Sequence, residues 1–233
     1  MTWVISRFAR ALFTRLFTPT ARALLRAGVS PDVVTVLGTL GVCVGGLVLY
    51  PRGELFWGTM VIVAFAFSDT LDGTMARLAG RSSRWGAFLD STLDRLGDAA
   101  VFVGVALWFA GRGDDLVLAA LSLWCLVAGS LVSYAKARAE GLGMTADVGI
   151  AERADRLVLA LLVIGFHGIG TPYVLAVGLW GLGLASTFTF GQRVWAVRRQ
   201  VLAAPIPPAR PIPPATPIPP ATPFPPPTPP AAR

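Results

Sequence analysis

Charged residues are scarce in this sequence: they make up only 14% of its 233 residues, whereas soluble domains carry about 25%. Hydrophobic residues make up 54% of the chain, and the mean hydropathy is +0.64. This composition excludes an ordinary soluble domain and predicts an integral membrane protein. Because lipid offers no partners for backbone polar groups, we expect the spanning segments to be helices.

Cysteine and histidine are also nearly absent. Cys43 and Cys125 both lie in apolar runs, so the sequence predicts neither a disulfide framework nor a thiolate metal site. The single histidine, His167, lies in a glycine-rich stretch and is not expected to be catalytic. The N-terminal stretch lacks a clean apolar core that ends at small residues, so we expect no cleaved signal peptide.

Six apolar segments approach the length of about 20 residues that crosses a bilayer. They lie at about residues 32–50, 54–74, 86–110, 115–138, 154–170 and 172–197. We predict an all-α integral membrane protein in which residues 30–200 form six transmembrane helices. Residues 1–29 alternate arginine with apolar residues and predict an amphipathic helix at the membrane interface. Residues 201–233 are a degenerate proline repeat and predict a disordered cytoplasmic tail.

The basic residues crowd on one side of this predicted topology. Of the 20 Lys and Arg residues, all except Arg52 and Arg112 fall on the same side as the two termini. The positive-inside rule therefore predicts a multi-pass protein of the cell membrane with both termini in the cytoplasm. The net charge of +7 is then explained by topology and by contacts with membrane lipids and phosphate groups, so no nucleic-acid partner is expected.

Aspartates occur where membrane helices accommodate charge least well. Asp69 and Asp72 end one apolar segment with i, i+3 spacing, and Asp90 and Asp94 begin the next with i, i+4 spacing, so each pair shares a helix face. An ionised carboxylate at the bilayer centre costs about 3 kcal/mol or more, so cations must compensate for four. The pattern predicts a cytoplasmic site for two Mg²⁺ or Mn²⁺ ions that clamp a phosphoanhydride. Asp98 continues the second face and is expected to be a structural partner for an arginine or a hydroxyl.

These positions resemble the signature of a known family. The matching residues are Asp69-x2-Asp72-Gly73-x2-Ala76-Arg77-x8-Gly86-x3-Asp90-x3-Asp94, and they are similar to the complete signature of the CDP-alcohol phosphotransferases. Residues 30–35, 133–140 and 152–156 further resemble one branch of that family, the actinobacterial-type phosphatidylinositol phosphate synthases. The similarity covers about residues 5–200 and leaves out the proline-rich tail.

The resemblance implies a reaction and a set of site residues. The enzyme would be a homodimer that moves a phosphatidyl group from CDP-diacylglycerol to 1D-myo-inositol 3-phosphate and releases CMP. Asp69 and Asp90 would bridge two Mg²⁺ ions, Asp72 would bind one of them, and Asp94 would bind the other and act as the general base. The residues implied to contact CDP-diacylglycerol are Asp32, Val33, Val34, Thr35, Gly73, Arg77 and Ser83.

The acceptor side of the site depends on cations outside the signature. Lys136, the only lysine, and Arg153, Arg156 and Arg193 all fall at predicted cytoplasmic helix ends and would bind the acceptor's phosphate. Alternatively they are topology anchors. The signature also allows glycerol 3-phosphate as the acceptor, which would give phosphatidylglycerol phosphate. A divalent-cation transporter is a remote alternative. Transport calls for polar residues along a route to both faces, whereas the acidic residues here crowd towards one face.

Overall fold

The computed structural model describes residues 18–80, 83–150 and 152–203, with the backbone alone at residues 69 and 70. These ranges contain helices and loops and no strand. Helix α1 spans residues 18–26. The later helices are α2 (Pro31–Val44), α3 (Leu55–Ala66), α4 (Ser68–Leu78), α5 (Arg84–Ala110), α6 (Leu116–Gly141), α7 (Arg153–Gly168) and α8 (Val174–Ala203).

The six predicted apolar segments correspond to these helices within a few residues. Helix α2 is prolonged by a π-helical turn, Gly45–Leu49, and a 3₁₀ turn, Tyr50–Arg52, so it fills the first predicted segment. The second predicted segment is divided at Phe67 into α3 and α4. The last segment extends six residues further than predicted, to Ala203. The all-helical prediction is therefore confirmed for the described part of the chain.

Four stretches of the described chain are long and apolar enough to cross a membrane: Pro31–Arg52, Leu55–Leu78, Leu116–Gly141 and Val174–Ala203. Helix α5 is long, but its first half carries the aspartates and two arginines, and α7 has only 16 residues. The protein is thus a multi-pass membrane protein, and the count of six spans remains a prediction.

Local sequence explains where several helices begin. Ser30 accepts a hydrogen bond from the backbone N–H of Val33 at 3.4 Å, and proline follows at the first helical position, as the sequence predicts for the start of α2. The hydroxyl of Ser83 caps α5 by accepting from Gly86 N at 2.9 Å. These two caps determine where α2 and α5 begin, and both helices contribute to the candidate site.

A glycine contact brings the π-helical turn after α2 against α5. A Cβ added at Gly104 would overlap the carbonyl oxygen of Gly46, and a Cβ added at Gly46 would overlap the carbonyl group of Ala100. Only glycine fits at such a backbone crossing. Beyond this crossing, the main apolar core includes the fully buried residues Tyr50 and Ile62, and Tyr50 Oη lies 2.9 Å from Thr59 Oγ1.

The N-terminal and C-terminal predictions concern mostly other parts of the chain. Of the predicted interfacial helix over residues 1–29, the structure describes residues 18–29, in which Ala21 is fully buried with Val34 and Met75. The chain divides into two units, Met1–Leu202 and Ala203–Arg233. The second unit, except for Ala203, falls beyond the described ranges, so the disordered tail stays a prediction.

Candidate active site

The signature aspartates lie on α4 and α5, and α2 packs against both of these helices. The side chain of Asp72 on α4 is buried, and its Oδ2 accepts a hydrogen bond from Thr35 Oγ1 of α2 at 2.5 Å. Asp90 and Asp94 on α5 lie within electrostatic range of Asp72. The structure therefore brings these three predicted metal ligands to one region. The side chain of Asp69 is outside the described part.

The donor set in this region suits a hard divalent cation, because carboxylate oxygens are the ligands that Mg²⁺ and Mn²⁺ prefer. Among the side chains that the structure describes, no three acids, histidines or cysteines converge closely enough to surround an ion. Asp94 Oδ2 instead lies 2.6 Å from Arg153 Nη1. Several carboxylates close together in membrane helices need cations to offset their charge. Arg153 offsets one of them, and a divalent ion could offset the others, so the carboxylate oxygens fit a metal site.

Most of the residues predicted to contact CDP-diacylglycerol lie at the beginning of α2 and in α4. Asp32 and Val33 lie in the first turn of α2, where the Val33 side chain is half exposed, whereas Val34 is buried against Ala21 and Met75. Thr35, also in this turn, is the residue that hydrogen bonds to Asp72.

The remaining residues predicted to contact CDP-diacylglycerol are Gly73 and Arg77 in α4 and Ser83 at the start of α5. Arg77 is exposed and lies beside Gly73, where an added Cβ would be 3.6 Å from Arg77 Nη1. Arg77 Nη2 donates to Thr74 Oγ1 at 3.0 Å. Ser83 serves as the helix cap described above.

The structure gathers the predicted acceptor cations, although they come from three helices. Arg156 interacts electrostatically with Arg153 and Arg193, and Lys136 interacts with Arg193. Arg156 and Arg193 are both only 5% exposed, and residue Arg95, which the sequence did not mark as a site residue, joins them within electrostatic range of Arg156. A cationic cluster thus lies next to the carboxylates.

Each of these cations already has protein partners. Arg156 Nη2 donates to the carbonyl oxygen of Gly129 at 3.2 Å. Arg193 donates from Nη1 to Val132 O at 2.7 Å and from Nε to Val148 O at 3.0 Å. These backbone contacts fix the direction of both guanidinium groups and satisfy the carbonyl groups of the buried residues Gly129 and Val132.

The loop from α6 to α7 folds back over the cytoplasmic ends predicted for α6 and α8. Lys136 forms an ion pair with Asp147 and lies 3.9 Å from Glu140. Gln200 Nε2 donates to Thr145 O at 2.6 Å, and Gln200 Oε1 accepts from Thr145 N at 3.0 Å. No local spacing in the sequence could reveal these long-range partners.

The contacts of Asp98 were predicted only in part from the sequence. The prediction of an arginine partner for Asp98 agrees with its contacts to Arg95 and Arg153, both at 3.4 Å. The sequence did not reveal that the same arginine, Arg153, also contacts Asp94. The i, i+4 spacing of Asp94 and Asp98 was the available signal, because it places both carboxylates on the α5 face that meets α7.

Comparison with known families adds a decisive observation to this geometry. Residues 28–176 match the family model described as CDP-alcohol phosphatidyltransferase. The chain belongs to the CDP-alcohol phosphatidyltransferase family. It is accordingly an enzyme of this class, and the matched region contains all four signature aspartates.

Individual relatives in the family are similar over most of their length. The chain is 54% identical over 204 residues to a phosphatidylinositol phosphate synthase of Streptomyces avermitilis, covering 84% of each chain. It is 46% identical to the synthase of Mycolicibacterium smegmatis, over 86% of this chain and 92% of that one. The Mycobacterium tuberculosis synthase with CDP-DAG bound has a TM-score of 0.76 and 45% identity, covering 78% and 94%. The same enzyme in complex with manganese and citrate gives 0.76 and 45%, covering 78% and 88%.

Proposed function

We propose that this CDP-alcohol phosphatidyltransferase is a phosphatidylinositol phosphate synthase. It transfers the phosphatidyl group of CDP-diacylglycerol to 1D-myo-inositol 3-phosphate and releases CMP. The similarity to curated synthases over most of the chain supports this choice of substrates. The structural observation that carries the proposal is the contact of 2.6 Å between Arg153 Nη1 and Asp94 Oδ2, because it joins the signature carboxylates to the cationic cluster.

Asp69, Asp72, Asp90 and Asp94 would hold the divalent ions, which we propose to be two Mg²⁺. When bound, such ions neutralise charge on the pyrophosphate and on the departing CMP. The hydrogen bond from Thr35 to Oδ2 fixes the orientation of the Asp72 carboxylate. The manganese complex of the M. tuberculosis relative supports a divalent cation in this fold.

The donor binds against the start of α2 and the end of α4. We assign the contacts to Asp32, Val33, Val34, Thr35, Gly73, Arg77 and Ser83. Gly73 leaves room for a phosphate to approach the backbone. Arg77 is exposed beside it and can offer its guanidinium group to phosphate oxygens.

Asp94 acts as the general base. An alcohol is a weak nucleophile at neutral pH, so a carboxylate within hydrogen-bonding reach assists by accepting the hydroxyl proton. The acceptor oxygen forms a bond to the lipid-side phosphorus while the bond from that phosphorus to the CMP oxygen breaks. The proton ends on Asp94, and the bond electrons leave with CMP.

The phosphate of the acceptor binds among Lys136, Arg153, Arg156 and Arg193. Guanidinium forks match the geometry of phosphate oxygens and remain charged at every physiological pH. Burial of Arg156 and Arg193 strengthens their interaction with an anion, because water screens it less. Because Arg153 contacts Asp94 directly, a phosphate bound among these cations holds the acceptor hydroxyl groups near the base.

We further propose the membrane arrangement that the sequence predicts. Six segments cross the cell membrane: α2, α3–α4, α5, α6, α7 and α8. Both termini and the active site face the cytoplasm. In this arrangement the exposed apolar side chains of the described helices face lipid or the second protomer of a homodimer.

An acceptor assay tests the function directly. Purified enzyme is incubated with CDP-diacylglycerol, Mg²⁺ and either inositol 3-phosphate or glycerol 3-phosphate, and the lipid product is identified by mass spectrometry. We expect phosphatidylinositol phosphate from the first acceptor and little product from the second. A preference for glycerol 3-phosphate would replace the proposed acceptor, and no product with either would contradict the proposed function.

A further inference from the structure

Asp98 lies at the centre of a chain of polar contacts between three helices. Its Oδ1 lies 3.4 Å from Arg153 Nη2 of α7, and its Oδ2 lies 3.4 Å from Arg95 Nη2 of α5. Arg95 Nη1 also donates to the hydroxyl of Ser133 on α6. One carboxylate therefore receives one arginine on each oxygen.

Burial makes these ion pairs important for Asp98. The residue is only 9% exposed, and its Oδ1 makes no hydrogen bond with any described group. A buried carboxylate is costly unless charged partners compensate for its lost hydration. The space around it is small, since Asp98, Gly129 and Arg156 line a cavity of only ≈ 10 Å³. Asp98 and the guanidinium of Arg153 therefore restrict each other's position.

Two of the three aspartates on α5, Asp94 and Asp98, contact the two ends of one guanidinium fork. Arg153 Nη1 lies 2.6 Å from Asp94 Oδ2, while Nη2 faces Asp98 and lies 3.4 Å from the backbone carbonyl oxygen of Asp94. Because the fork is planar and rigid, contact at Nη2 sets the angle at which Nη1 meets Asp94. Groups that hold a site residue in this way usually affect the site although they touch no substrate.

We propose that Asp98 is a positioning residue of the phosphatidyl transfer. It holds Arg153 so that Arg153 orients the Asp94 carboxylate and presents the remaining guanidinium edge to the acceptor's phosphate. Arg95 supports Asp98 from the opposite side and carries the chain of contacts to Ser133. This proposal rests on the proposed function, in which Asp94 is the base and Arg153 binds the acceptor.

Substituting Asp98 with Asn separates this role from a purely structural one. Asp98→Asn keeps the shape but removes the charge, and we expect kcat/KM for the acceptor to fall by about 10–100-fold. The KM for CDP-diacylglycerol should change by less than about twofold, because the proposed contacts of this substrate, on α2, on α4 and at Ser83, include neither Asp98 nor its arginine partners. The matched control is Asp114→Asn, which makes the same exchange at an exposed residue beyond the other end of α5.

A double-mutant cycle with Arg153→Lys gives the second readout. Lysine keeps the charge but lacks the fork, so Asp98→Asn should cost less than about twofold in that background. Partial recovery in Asp98→Glu would agree with a positioning role. If Asp98→Asn cannot be purified folded, Asp98→Glu is measured in both backgrounds, and the same loss of coupling is expected.

Two results would overturn the proposal. One is an equal effect of Asp98→Asn in the otherwise unsubstituted enzyme and in the enzyme that carries Arg153→Lys. The other is a change in kcat/KM no larger than that of Asp114→Asn. Asp94→Asn is measured in parallel: if it stays active, the assignment of the base fails, whereas inactivity of Asp94→Asn together with normal Asp98→Asn contradicts only the positioning role.

Discussion

The carboxylate side and the cationic side of the site are assembled in different ways. The carboxylates lie between residues 69 and 94, on two helices joined by a short connection, with spacings set by the helical period. The cations come from α6, α7 and α8 and meet only when those helices pack. A local signature can therefore identify the first side, whereas the second depends on tertiary structure.

The two sides also differ in how their side chains are held. Asp72 receives hydrogen bonds from the Thr35 hydroxyl and from the backbone of Gly73, its neighbour in the chain, whereas Arg193 spans two backbone carbonyl groups from separate segments. Substitutions on the carboxylate side should therefore change chemistry more than stability. Substitutions on the cationic side should change both.

The largest effect is expected for the proposed base. Asp94→Asn keeps the size of the side chain but removes its capacity to accept a proton, so kcat should fall by about 10²–10⁴-fold. Binding of CDP-diacylglycerol, measured by equilibrium dialysis with labelled lipid in detergent, should be the best preserved among the four signature aspartate variants. Near-normal turnover would contradict the proposed mechanism.

Arg156→Ala tests the cationic side. A charge-assisted hydrogen bond contributes about 1.5–3 kcal/mol, so the KM of the acceptor should rise roughly tenfold to a hundredfold while that of CDP-diacylglycerol stays nearly unchanged. Steady-state kinetics with one substrate varied at a time provide the measurement. Arg138→Ala is the control, because Arg138 is exposed near the end of α6. Equal acceptor KM values for the two variants would favour the role of a topology anchor.

Thr35→Val sharpens the comparison from the carboxylate side. Valine fills the same space but cannot donate to Asp72, and loss of a hydrogen bond to a charged group costs about 1.5–3 kcal/mol. We expect about a tenfold higher Mg²⁺ requirement, measured by metal titration of initial rates, with an unchanged acceptor KM. Thr39→Val is a matched control one turn later, since its hydroxyl donates to the Thr35 carbonyl within α2. A similar shift in both variants would show that the Asp72 contact is not responsible.

The sequence predicted the helices, including those that carry the signature carboxylates, for physical reasons. Helical segments follow from long apolar runs, and Ser30 with Pro31 marks the start of α2 because cap chemistry is local. The signature places Asp72, Asp90 and Asp94 by spacing alone. The break between α3 and α4 at Phe67 was not predicted, because no glycine or proline marks this position.

The contacts of the cations were less accessible from the sequence. The sequence indicated that the cations lie close together only because all of them fall at predicted cytoplasmic helix ends. Backbone partners such as the Gly129 and Val148 carbonyl groups cannot be recognised from residue type. Asp147 is far along the sequence from the signature residues, and its ion pair with Lys136 depends on how the loop after α6 turns back. Packing determines these contacts, and packing is not encoded in local spacing.

The smallest effect is expected for Asp147→Asn, at the exposed edge of the cationic side. Because an exposed ion pair contributes little, we expect the acceptor KM at pH 7 to stay within about twofold of the unsubstituted enzyme. The hydrogen bond from Lys136 lowers the pKa of the Asp147 carboxyl. A carboxyl whose pKa is lowered on folding stabilises the protein above its unfolded pKa of about 3.9 and loses that contribution as the pH falls through the folded value. The difference in melting temperature between the two proteins should therefore be constant from about pH 5 to 8 and shrink only in stronger acid. A large rise in acceptor KM would show instead that Asp147 holds Lys136 in its phosphate-binding position, and the loop after α6 would then belong to the site.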